Sequence, residues 1–173
     1  HVEVRETIRP VLRRLAAVGD VMELLTGVRP TQELPTITAE AGSLPVFGRY
    51  DVVVVGGGTG GAPAGIGAAR AGARTLVVEY LHGLGGVGTV GAISKYYWGN
   101  RVGFTAQVGG GDSWVIEQKM EWWRTELLKA KADVWFGVTA CGAWVSQNQV
   151  RGVVVVTPRG RGAVLAKVVV DAT

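Results

Sequence analysis

The sequence predicts an α/β domain built on a parallel sheet, with a small antiparallel β-meander attached. Three observations carry this expectation. A β-branched run, Asp51-Val52-Val53-Val54-Val55, leads straight into a glycine turn at residues 56–61. A small-residue helix pattern over residues 62–71 then returns to a second apolar run, Thr75-Leu76-Val77-Val78-Glu79. From residue 134 onward the chain is a series of strand-like, largely valine-rich runs broken by short polar turns. Strand, helix and strand in that order make a βαβ unit, whose parallel crossover is right-handed. Apolar runs without polar alternation are those of strands buried on both faces.

Composition bounds the rest. The 173 residues are 47% hydrophobic, which excludes a disordered chain and suffices for one core. The 27 glycines exceed ordinary usage and concentrate between residues 56 and 111, where they point to backbone approaching a ligand. A net charge of +4 raises nucleic acid as a partner, but the basic residues are scattered. Only Arg13-Arg14 and the Arg159/Arg161 pair cluster, so no nucleic-acid partner is expected. Residues 52–69 are uncharged and long enough to span a bilayer, yet Gly56, Gly57, Gly58, Gly60, Gly61 and Pro63 interrupt them. Strand, turn and helix describe them better, and no membrane span is expected. The one cysteine, Cys141, excludes an internal disulfide and reads as a small buried residue. A cytoplasmic location is the working expectation. Export stays open because the chain starts at His1 rather than Met.

The elements follow in order. Residues 1–49 read as a helical appendage and linker. Pro10 opens a short helix with Val11, Leu12 and Leu15 on one face, and Asp20 caps a second with Val21, Leu24 and Leu25 inward. Pro30, Pro35 and Pro45 mark an extended connector over residues 26–48. Residues 50–173 form the dinucleotide-binding domain. After the βαβ unit, residues 80–112 are glycine-rich without a period. Asp112 or Ser113 then caps a helix whose inner face is Ile116, Met120, Trp123 and Leu127, with its Met and Trp read as core. Strands are expected at residues 134–138, 143–145, 150–156 and 164–170, with turns at residues 146–148 and 158–162.

The chemistry sits in the glycine turn. Gly56-x-Gly58-x-x-Gly61 fits the dinucleotide fingerprint of a Rossmann-like fold. Gly56 allows the tight exit from the strand, Gly58 lets backbone approach a pyrophosphate, and Gly61 lets the helix lie against the strand. Thr59 and Gly60 sit at the helix start, where unpaired N–H groups and the positive dipole end favour phosphate. Glu79, 18 residues after Gly61, ends the second strand where a carboxylate binds ribose hydroxyls, with Tyr80 next to it. A carboxylate there repels a 2′-phosphate and argues against NADP.

Four stretches together resemble the FAD-dependent oxidoreductases of the glutathione-reductase-like superfamily, especially the branch of the fumarate reductase and succinate dehydrogenase flavoproteins. They are residues 50–58, Leu84-Gly85-Gly86-Val87-Gly88-Thr89, residues 119–136 and Val168-Val169-Val170-Asp171-Ala172-Thr173. The resemblance covers about residues 46–173. It implies FAD as cofactor and hydride transfer from a small organic substrate to it. It implies that Gly56, Gly58 and Gly61 hold the pyrophosphate and Glu79 the ribose. Gly85, Gly86 and Thr89 would line the flavin side, the backbone at Val138 would meet adenine, and Ala172 and Thr173 would form the last turn at the flavin.

His82 reads as an ordinary polar residue, with covalent attachment to flavin as the alternative. Lys95, Tyr96, Tyr97, Trp98, Asn100 and Arg101 form an aromatic-basic segment that reads either as a wall of the flavin or substrate-access side or as plain packing. No residue stands out as catalytic acid or base, and no metal cluster is apparent. Members of the family continue into a substrate-binding domain, so a second polypeptide is expected to carry that domain and the remaining flavin contacts. Proteolytic processing of one precursor would explain such a pair, whose interface would exceed the standard ~1,600 Å². A non-catalytic flavin-binding or assembly subunit and an NAD-binding dehydrogenase module remain the alternatives.

Overall fold

The computed structural model describes residues 42–173. The appendage helices at Pro10 and Asp20 and the connector up to residue 41 lie outside the described residues. Residues Ser43–Thr173 form one compact unit. Its elements in chain order are β1 (Val46–Val55), α1 (Gly61–Arg70), β2 (Thr75–Glu79), a 3₁₀ turn (Gly86–Gly88), α2 (Phe104–Gln107), α3 (Ile116–Lys129), β3 (Asp133–Phe136), β4 (Thr139–Ser146), β5 (Gln149–Thr157) and β6 (Gly160–Asp171).

One six-stranded sheet contains them all, in the order β3-β2-β1-β6-β5-β4. β3, β2, β1 and β6 run parallel, whereas β6, β5 and β4 form the antiparallel meander. The fold is therefore the expected α/β sheet with a meander. Strand β1 reaches back to Val46, further than its β-branched run. Residues 46–50 pair with β6, and Pro45 C=O accepts from Ala163 N–H. That pairing comes from a strand more than a hundred residues away in sequence, so local composition does not announce it.

Period-two alternation divides the core between the sheet's faces. Val54 and Val77 pack against Ala62 and Ile66 of α1 and against Trp123 and Leu127 of α3. Val53, Val55, Leu76 and Val78 face the other way and pack with Val153 and Val155 of β5 and Val164 of β6. Helix α1 lies close on β2 because Gly65 has no side chain. A Cβ there would sit 2.4 Å from Val77 Cγ2.

Three expectations are corrected. The strand expected at residues 134–138 breaks at Gly137, whose φ of +67° turns the chain from β3 into β4. Helix α3 has Val115 at its N-cap with no side-chain cap, because Asp112 is engaged by Arg101 (3.2 Å). Cys141 is exposed rather than buried. It lies on β4, an edge strand paired only with β5, where the apolar run on its own does not reveal which face is covered.

Candidate functional site

The parallel strands end together. Val55 pairs with Val78 on one side and with Asp171 on the other, and Glu79 pairs with Phe136. The segments leaving β1, β2 and β6 therefore meet at the carboxyl end of the sheet, the place where open α/β sheets bind ligands. A cavity of about 290 Å³ opens there, and Gly56, Gly58, Glu79, Tyr80, Val138, Ala172 and Thr173 line it. Residues separated by more than a hundred positions in the chain thus share one wall.

The glycine turn is shaped by its own backbone contacts. Gly56 has φ +88°, and a Cβ on it would lie 2.7 Å from Ala172 C=O. A Cβ on Gly61 would lie 1.7 Å from Gly56 C=O, so no side chain fits. Gly58 is different. The nearest atom to its Cβ position is Gly86 Cα at 3.8 Å, ordinary contact distance. The protein itself therefore leaves room at Gly58, which lines the cavity. Ala62 N–H donates to Gly58 C=O and opens the helical ladder, so the N–H groups of Thr59, Gly60 and Gly61 lie ahead of it at the helix start. No acidic residue occupies the first turn of α1.

Glu79 is buried, with its carboxylate anchored at both oxygens. Gly57 N–H donates to Oε2 and Leu81 N–H to Oε1, each at 2.7 Å. Each oxygen keeps a further lone pair, so the group is oriented and still able to accept. Gly57, an unassigned position of the fingerprint, is thus the hub that sequence reasoning passed over. Its C=O also accepts from Gly85 N–H (2.9 Å), which docks the second glycine segment on the first. Gly85 and Gly86 take φ +99° and +56°, and a Cβ on Gly86 would come within 3.0 Å of Gly58 Cα. The two glycine segments touch backbone to backbone.

The remaining predicted residues fall in several places. Thr89 is fully buried, and its hydroxyl donates to Leu84 C=O at 2.5 Å, so it shapes the second glycine segment from beneath. Val138 N–H already donates to Glu79 C=O (3.1 Å). Ala172 N–H donates to Val55 C=O, and Thr173 caps Asp171 through its N–H and hydroxyl. Tyr80 and His82 are exposed.

A second cavity, of about 420 Å³, lies beyond the helix start. Thr59 and Pro63, Gly85 and Gly88, and the aromatic residues Tyr96, Trp114 and Trp123 line it, together with Lys119. Lys95, Tyr96, Tyr97 and Trp98 of the aromatic-basic segment line it too, and Trp114 is held beside them by its N–H to Ser94 C=O and its Nε1–H to Gly88 C=O (2.7 Å). Trp123 serves both core and cavity. It is 5% exposed, and its indole Nε1–H has no partner among the described residues. Lys119 was not singled out from the sequence. The available signal was a lysine one position from Met120 on the apolar stripe of α3. Among the described residues no group of His, Cys, Asp and Glu could hold a metal, and no helix is long and apolar enough to cross a membrane.

Comparison with known proteins fits this geometry. Residues 51–111 match the family model described as FAD dependent oxidoreductase, a span that holds both glycine segments and Glu79. A dihydrolipoyl dehydrogenase of Trypanosoma brucei brucei is 57% identical over 42 residues, 24% of this chain and 9% of that protein. A geranylgeranyl bacteriochlorophyll reductase-like protein of Thermoplasma acidophilum superposes with a TM-score of 0.53 at 27% identity, covering 72% of this chain and 39% of its own. THI4 of Thermovibrio ammonificans gives 0.57 at 25% identity, covering 72% and 57%. The chain therefore spans less than two thirds of each of these relatives. These matches support an FAD-dependent oxidoreductase family and FAD as the cofactor, on a Rossmann-like fold.

Proposed function

We propose that this chain is the FAD-binding part of a flavin-dependent oxidoreductase that oxidises a small organic substrate. The observation that carries the reading is the paired glycine cradle: Gly85 N–H bonded to Gly57 C=O, and Gly86 packed on Gly58. An NAD-binding module needs only the first turn. Here a second glycine segment lies on the first and extends the cradle beyond the turn.

The residues fit the group. Gly56, Gly58 and Gly61, with the N–H groups of Thr59 and Gly60, would hold the pyrophosphate. Glu79 would accept from the ribose hydroxyls, and its charge disfavours a 2′-phosphate. Tyr80, the carbonyl side of Val138, Ala172 and Thr173 would line the adenosine and turn sides, and Gly85 with Gly86 the flavin side. When bound, FAD supplies the capacity to accept a hydride. The stretches ending in Thr89 and Thr173 support the fumarate-reductase-like branch within the family. The 39% and 57% shares of the two solved relatives support a further segment that completes the substrate wall. The reading places it on a partner polypeptide.

The full natural protein tests this directly. It should purify yellow, with absorbance near ~450 nm from flavin, and a substrate should bleach that band. A colourless protein that binds NAD would sink the proposal. A yellow protein that no substrate class bleaches would favour a flavin-binding assembly subunit.

A further inference from the structure

Lys119 is a largely buried lysine whose ammonium has no anionic partner among the described residues. It is 7% exposed, and among the described residues no carboxylate lies within 4.0 Å of its ammonium and no hydrogen-bond acceptor reaches it. Its neighbours are π faces: Nζ sits 3.1 Å from the Trp114 ring centroid and 5.6 Å from that of Tyr96. Two other cations are near: Arg101 lies 5.8 Å from the Tyr96 ring centroid and pairs with Asp112 at 3.2 Å, and Lys95 also lines the cavity but is exposed. Burying an ammonium is costly unless it is paired, and cation–π contacts return only part of that cost. Burial first, and the Arg101 charge second, push its pKa below the ordinary lysine value, as an unpaired site does. The position also opens into the second cavity, whose walls are otherwise mostly aromatic and aliphatic.

We propose that Lys119 is an anion-recognition group, which receives the carboxylate of a small organic acid whose flat apolar body lies against the wall formed by Tyr96, Trp114 and Trp123. The cavity's volume of about 420 Å³ suits a ligand of that size. The unpartnered Trp123 Nε1–H adds a neutral donor on the same wall. The same anionic-oxygen chemistry is offered by cofactor phosphate, because Thr59 and Gly85 also line this cavity. The experiment separates the two sources. The binding site does not rest on the flavin reading.

The full natural protein, loaded with FAD, would be titrated with benzoate and with its neutral analogue benzamide, following tryptophan fluorescence. Benzoate should quench saturably and bind at least roughly tenfold more tightly than benzamide, the worth of one charge-assisted contact. K119M should remove most of that preference and leave FAD affinity within about threefold, since a shift that small is below 1 kcal/mol. Equal binding of benzoate and benzamide by the unaltered protein overturns the proposal, and this comparison holds even if K119M does not fold. Unchanged benzoate preference in K119M also overturns it. Loss of FAD affinity in K119M with benzoate binding intact assigns the cation to cofactor phosphate and overturns the organic-acid site. A colourless protein that still prefers benzoate would remove the flavin reading and leave this one standing.

Discussion

Gly60 and Gly61 are neighbours with opposite steric demands. A Cβ at Gly60 meets nothing within 4 Å, whereas at Gly61 it would lie 1.7 Å from Gly56 C=O. Gly60→Ala should therefore leave the thermal midpoint nearly unchanged. Gly61→Ala forces helix α1 off the strand and should cost at least the upper end of the ~1–3 kcal/mol of an overpacked core. Thermal unfolding of the two variants checks the contrast. Glu79→Gln keeps the shape but turns an amide N–H toward one of the two backbone donors, Gly57 or Leu81. Hydrogen bonds to a charged group are worth about 1.5–3 kcal/mol, so FAD affinity should fall by roughly tenfold or more, read by equilibrium dialysis. At this scale the glycine spacing and the acidic strand end were legible, since each residue type has one backbone reason to be there. Gly57 and Lys119 were not. The importance of Gly57 lies in two partners from distant segments, and that of Lys119 in its burial among aromatic rings, which no sequence pattern displays.

The meander and the helices depend on local choices and on what they cover. Gln147 and Asn148 both take positive φ, +50° and +56°, at the turn between β4 and β5. That is a two-residue turn of the mirror-image type, for which Asn-Gly is preferred. The double change Gln147→Asn with Asn148→Gly should raise stability by about 0.5–1 kcal/mol, measured in thermal or denaturant unfolding. β1 and β3, which are not adjacent in the sheet, are joined by Tyr50 OH donating to Asp133 Oδ2 at 2.8 Å. Burial, then the Asp133 contact, pushes the Tyr50 phenol from 10.0 up to about 12. Below pH 10 the phenol is protonated in both folded and unfolded chains, so it adds no pH dependence. Between pH 10 and about 12 only the unfolded chain ionises, and stability falls as pH rises. Tyr50→Phe should flatten that part of a stability–pH profile. The turn at residues 146–148 was readable from its polar composition. The break at Gly137 and the length of β1 were not, because both are set by pairing with other strands.

At the scale of the whole molecule, the cofactor and the fold are linked by mass action. A ligand that binds only the folded state adds about 2.7 kcal/mol at a hundredfold excess over its dissociation constant. FAD should therefore raise the thermal midpoint of the full protein in a concentration-dependent way. NADP should not, since its 2′-phosphate would meet the Glu79 carboxylate. A rise with NADP alone would contradict the proposed site.

The sequence by itself determined the βαβ unit, the glycine turn, the acidic end of β2 and hence the dinucleotide class. These are local demands: buried strands need β-branched runs, and tight approach needs glycine. Tertiary structure alone decided that the second glycine segment lies on the first, that Val138 and Ala172 join the same wall as Glu79, that Thr89 is buried and bonded to Leu84 C=O, and that Cys141 is exposed. It also placed Lys119 among aromatic rings, with no counter-charge among the described residues. Each of these is a contact between positions far apart in the chain, and burial and pairing across such distances exist only once the sheet has assembled.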